Sequence, residues 1–93
     1  MGFKEINLKD FADELGINYF EVKEKQRLIE HIVRLRTNHG ISQSNLAQMV
    51  GVSQSRISQI ESGISTSKIS FDVIFHILNV MGFNCEVRLK KMA

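Results

Sequence analysis

Proline and tryptophan are absent from the 93 residues, and cysteine occurs once. With no proline, nothing in the chain forbids a helix interior outright; only 6 glycines punctuate it, and a mostly helical fold is expected. The lone thiol, Cys85, closes no disulfide framework, so a reducing, cytoplasmic setting is expected. No stretch approaches the about 18 consecutive apolar residues that a membrane span requires. Residues 1–10 carry two lysines and two acids and no apolar run, so no signal peptide is expected. Neither sign of charge dominates, the formal net charge being +2. A chain this short buries only about two-thirds of its unfolded surface, which makes one domain with short extensions or an oligomerisation device the expected organisation.

The charge is unevenly spread. Residues 1–30 hold five Lys/Arg against seven acids. Residues 31–71 hold Arg34, Arg36, Arg56 and Lys68 against Glu61 alone. The middle of the chain is therefore the part that repels a polyanion least, although a mild basic surplus also fits an ordinary solvated surface.

Five glycines (Gly16, Gly40, Gly51, Gly63 and Gly82) stand where apolar periodicity stops, as expected of residues just past helix ends. Asn7 with Asp10 opens a first helix, with Leu8, Phe11, Ala12 and Leu15 on one face. Asn18 with Glu21 resembles a capping box and opens a second, carrying Leu28, Ile32 and Leu35 on one stripe. Ser42 caps a short helix holding Leu46, Ala47 and Val50. Ser53 caps another holding Ile57 and Ile60, and Ser70 caps a helix over residues 71–81 with Phe71, Ile74, Phe75, Leu78 and Met81 inward. Beyond Gly82 the period falls to two: Phe83, Cys85, Val87 and Leu89 alternate with Asn84, Glu86, Arg88 and Lys90, the pattern of a half-buried strand.

The segment from Gly40 to Gly63 carries the chemistry. Its two helices are too short to stand alone. They need a tight turn through Gly51-Val52 that lets Leu46, Val50, Val52, Ile57 and Ile60 meet, with Ala47 small at the close approach. That is the specification of a helix-turn-helix. The second helix then presents Gln54, Ser55, Ser58 and Gln59 outward, with Arg56 on its flank. Neutral hydrogen-bonding side chains suit base edges in a major groove, where Gln pairs bidentately with adenine.

Gln43, Leu46-Ala47, Gly51-Val52-Ser53, Ile57-Ser58, Ile60-Glu61 and Gly63 resemble the Cro/C1-type (XRE) helix-turn-helix family. Arg36 falls where that family places an arginine, and residues 71–82 look like its closing helix. The resemblance covers residues 27–82. It departs from the pattern between Gly63 and Ser70, where the loop is longer and lacks the usual proline. The resemblance implies a five-helix, lambda-repressor-like fold and sequence-specific binding of double-stranded DNA. It implies that Gln43 contacts a phosphate and braces the recognition helix, and that Gln54, Ser55 and Gln59 face bases. It further implies that Arg56 reaches a phosphate or a base and that Ser42, Ser44 and Ser62 bond to backbone or phosphates. Ser53 and Ser58 complete the DNA side. For Ser42 and Ser53 a plain capping role competes. Arg36 and Glu61 are expected to form a partly buried ion pair, a surface charge being the alternative for each.

Other chemistries find no support. His31, His39 and His76 lack metal-ligand spacing with one another or with Cys85, so no metal or cofactor is expected. No serine lies in a nucleophile turn, and Cys85 sits on the apolar side of the strand pattern. No catalytic residue is expected, and the chain does not read as an enzyme.

The expected organisation is a mainly α protein in three parts: a helical extension (1–25), a DNA-binding domain (26–82) and a C-terminal strand and tail (83–93). The strand has no second strand of comparable quality within the chain. Pairing with a second copy through Phe83, Cys85, Val87 and Leu89 would give a homodimer. Such a dimer sets two recognition helices about 34–36 Å apart, for a palindromic operator. The functional expectation is a transcriptional repressor. The alternative is an antitoxin resembling the HigA and HipB type, with a toxin partner and control of its own operon. A protein-interaction module with a vestigial DNA face is a third reading.

Overall fold

The computed structural model describes Gly16 and residues 18–86. The helix expected from Asn7 to Leu15, the strand residues Val87 and Leu89, and the tail beyond them lie outside the described residues. Among those described there are four α-helices: α1 (Tyr19–Asn38), α2 (Gln43–Val50), α3 (Gln54–Glu61) and α4 (Phe71–Val80), with a 3-10 turn at Thr66–Lys68 before α4.

Each helix starts where a short polar side chain can accept from a backbone N–H three residues on. Asn18 Oδ1 accepts from Glu21 N at 3.0 Å, Ser42 Oγ from Asn45 N at 3.0 Å, Ser53 Oγ from Arg56 N at 3.1 Å and Ser70 Oγ from Val73 N at 3.3 Å. Only half of the box expected at Asn18 is seen. The Glu21 carboxylate turns along the helix to the Lys25 ammonium, 2.9 Å away.

All four helices close on a left-handed glycine: Gly40, Gly51, Gly63 and Gly82. After α2, Gly51 adopts φ +87°, and the N–H groups of Gly51 and Val52 both return to the Ala47 carbonyl. That left-handed residue turns the chain sharply enough for α3 to begin at Gln54.

The core is a single cluster: Ile29 and Ile32 from α1, Leu46 and Ala47 from α2, Ile57 and Ile60 from α3, Ile69, and Ile74, Ile77 and Leu78 from α4. α2 packs on α3, and α1 and α4 close over the pair. Lys25 is buried as well, with its ammonium 5.2 Å from the centre of the Phe71 ring. The methylenes fill the seam between α1 and α4 while the charge is shared between the ring face and Glu21. α1 runs unbroken across residues 25 and 26, so the division expected there falls inside a helix.

Two sequence expectations need correcting. Val52 is 38% exposed and stands outside the core. On α4 the buried stripe includes Ile77, while Phe71 and Phe75 are half-buried and stack on each other. Among the described residues, residues 83–86 have no strand partner within the single chain, and the second copy with which the expected strand would pair lies outside it. The segment begins from the end of α4. Gly82 at φ +93° sends its N–H to Asn79 O, and the Phe83 N–H reaches back to Leu78 O. This paired closure ties Phe83 to its own helix. Its ring packs against the core and meets His39 edge-on at 5.8 Å. Phe83 thus has an intramolecular seat, whereas Cys85 is exposed.

Candidate nucleic-acid interface

Gln43, Ser53, Gln54, Ser55, Arg56, Ser58, Gln59 and Ser62 line one open concavity over the outer face of α3, together with Ile64 from the following loop. The α3 sequence forces this arrangement. Ile57 and Ile60 are buried, and with 3.6 residues per turn their burial turns positions 54, 55, 58 and 59 outward. The lining residues include one cation, Arg56, and no carboxylate.

Three hydrogen bonds shape this surface. Arg56 Nη1 donates to Gln59 Oε1 at 3.3 Å, so two side chains expected to act separately touch along one helix face. Ser62 Oγ donates to Gln59 O at 2.7 Å and accepts from Ile64 N at 3.3 Å. The end of α3 and the start of the loop are therefore held by one hydroxyl.

Behind the concavity lies a charged junction. Arg36 Nε donates to Glu61 Oε2 at 2.7 Å and Arg36 Nη2 to Glu61 Oε1 at 2.8 Å, a two-pronged pair. Arg36 Nη1 donates to the Ile41 carbonyl at 2.9 Å. Gln43 Nε2 adds a bond to Glu61 Oε1 at 3.1 Å. The side chains of Arg36 and Glu61 are only 13% and 6% exposed, so both charges are largely withdrawn from water. The hydrogen bond to Glu61 raises the Arg36 pKa above the ordinary guanidinium value, against the opposing effect of burial. The junction joins α1, the entry to α2 and the last residue of α3, and so fixes how the recognition face is presented. Arg36 is consumed internally, which leaves Arg56 as the cation of the concavity.

Among the described residues no three His, Cys, Asp or Glu side chains are grouped to hold a metal. No helix among them is long and apolar enough to cross a membrane. Ile64 was not singled out from the sequence. Its residue type carries no signal, and its place follows from the geometry of a loop that departs from the usual pattern.

Two short helices crossing at a glycine turn, with the second offering a polar face, define a helix-turn-helix domain. Compared with known protein families, residues 32–87 match the family described as helix-turn-helix. That is more than half of the chain, which belongs to the Cro/C1-type (XRE) helix-turn-helix family, a family of DNA-binding transcription regulators. Neither the curated proteins nor the solved structures returned a match.

Proposed function

We propose that this protein is a repressor that binds a palindromic operator as a homodimer. In this reading α3 lies in the major groove, Gln54 and Gln59 contact base edges, and Ser55 and Ser58 add shorter hydrogen bonds. Gln43, Ser53, Arg56 and Ser62 position the backbone. The observation that carries the reading is the concavity itself, in which neutral hydrogen-bonding side chains converge around one arginine with no carboxylate among them. A merely solvated helix face has no need of that composition, whereas base edges and phosphates match it. The Gln43 amide nitrogen has two N–H donors; with one on Glu61, the other has the capacity to reach a phosphate.

The test is selection of preferred sequences from random DNA, followed by binding measurements at stated salt. Gln54→Ala and Gln59→Ala are expected to cost about 1–3 kcal/mol on the selected site and little on random DNA. Arg56→Ala should weaken both and reduce the salt slope by about one unit. Because Arg56 touches Gln59, the double variant should lose less than the sum of the two single losses. Equal losses on selected and random DNA for Gln54→Ala would remove the base-reading role.

The antitoxin reading rests on the acids of α1: Glu21 and Glu24, exposed but paired along the helix with Lys25 and Arg27, and the exposed Glu30 together form an acidic surface that a basic partner could meet. A stable complex with the product of an adjacent gene would favour it.

A further inference from the structure

Glu30 is exposed, and among the described residues its carboxylate makes no hydrogen bond and no ion pair. Two partners stand within reach on α1: Arg27, three residues before it, and Arg34, four residues after it. Arg27 is turned to Glu24 instead, 3.6 Å away. Glu30 lines an open groove together with Gln26 and Ile29 of α1, Glu61 at the end of α3, and Ser62 and Gly63 beyond it. Ser62 also lines the recognition concavity, so the groove and the concavity meet at that residue. The other carboxylate of the groove, Glu61, is held by both prongs of Arg36 and is only 6% exposed. Among the described residues, Glu30 is therefore the one uncompensated negative charge at the border of a face that has one cation and no carboxylate of its own.

A solitary carboxylate is unremarkable on a surface at large. Here it lies beside the path of a polyanion. A duplex carries one negative charge per about 1.7 Å of its axis, so one seated on α3 brings phosphates past Ser62 whichever bases it presents. Charges separated by less than about 8 Å are within one screening length at physiological salt, and like charges there repel. We propose that Glu30 is an affinity-limiting residue: its carboxylate repels the phosphate backbone where it leaves the end of α3, and so marks one edge of the DNA footprint. The inference rests on the proposed reading of the concavity as a DNA-binding face and adds to that face a repulsive element. The repulsion is blind to sequence. It sets how tightly the protein holds any DNA and leaves the choice among sequences to α3.

The experiment uses the full chain and a duplex carrying its selected sequence, with single phosphates replaced one at a time by neutral methylphosphonates. Neutralising a phosphate that the protein contacts weakens binding. At one or two positions beyond the bases facing α3, wild-type protein is expected instead to bind about twofold more tightly, the size of a like-charge repulsion across about 8 Å of water. Glu30→Gln should bind the unmodified duplex about twofold more tightly than wild type and gain nothing further at those positions. Glu30→Lys should turn the gain there into a loss. These differences should shrink as salt rises. Glu24→Gln makes the same change in net charge about 120° round the helix from Glu30 and should keep the wild-type methylphosphonate profile. Both residues are exposed, so the core stays intact, which a thermal melt verifies. A wild-type profile in which no neutralised phosphate tightens binding overturns the proposal, as do the same gains persisting in Glu30→Gln. Both results leave the losses at contacted phosphates, and with them the DNA reading, standing. Failure to select any sequence overturns the DNA reading and this inference together.

Discussion

Arg36 places all three of its side-chain nitrogens on one junction, two on Glu61 and one on the Ile41 carbonyl. Removing either charge strands the other in a site that is nearly closed to water. Arg36→Ala and Glu61→Ala are each expected to lower folding stability by about 3 kcal/mol, and the double variant by less than the sum. Denaturant melts of the four proteins measure this; strict additivity would mean that the contact carries no coupling. The pH behaviour follows from the raised Arg36 pKa. A cation whose folded pKa is raised contributes its stability fully below the unfolded value and loses it only as pH rises through the folded value. For a guanidinium that window lies beyond the ordinary alkaline range. Arg36 therefore keeps its charge throughout neutral and mildly basic conditions.

At the scale of elements, the turn between α2 and α3 concentrates the strain. A Cβ placed on Gly51 would meet nothing within 4 Å, so the obstacle to a side chain there is the left-handed backbone alone. Gly51→Ala should cost about 1–2 kcal/mol, and Gly51→Asn less, since asparagine tolerates that region better. Equal melting midpoints for wild type and Gly51→Ala would show that the turn relaxes freely. The helices were legible because their ends are written in residue type: Asn18, Ser42, Ser53 and Ser70 before them, Gly40, Gly51, Gly63 and Gly82 after them. The inward face of α3 was legible too, since Ile57 and Ile60 leave no alternative. Other features were not. Lys25 reads as a surface cation until Phe71 and Glu21 are seen beside it. On α4, Phe71, Phe75 and Ile77 compete for the inward side, and period alone does not rank them. Ser65 offers no sign of a left-handed backbone, so the exposure of Ile64 had to come from the structure. The alternation after Gly82 is real as a pattern, but Phe83 is claimed by the end of its own helix.

For the whole molecule, that last point changes how the dimer is best tested. Deleting from residue 83 onward would remove a ring that packs on the core and would confuse unfolding with dissociation. Deletion of residues 84–93 leaves Phe83 in place. If the tail holds two copies together, this truncated chain is expected to melt near the wild-type temperature, sediment as a monomer and bind the operator far more weakly. A truncated chain that still sediments as a dimer places the interface elsewhere. The division of labour within α3 has a further consequence. Ile57 and Ile60 secure the helix from below, while Gln54, Ser55, Ser58 and Gln59 project into solvent. Folding places almost no demand on the identity of those four outward positions. If these positions read bases as proposed, they form an alphabet that natural variation or a combinatorial library is free to rewrite, so descendants of one stable scaffold can diverge in the addresses they recognise without first having to acquire a new fold.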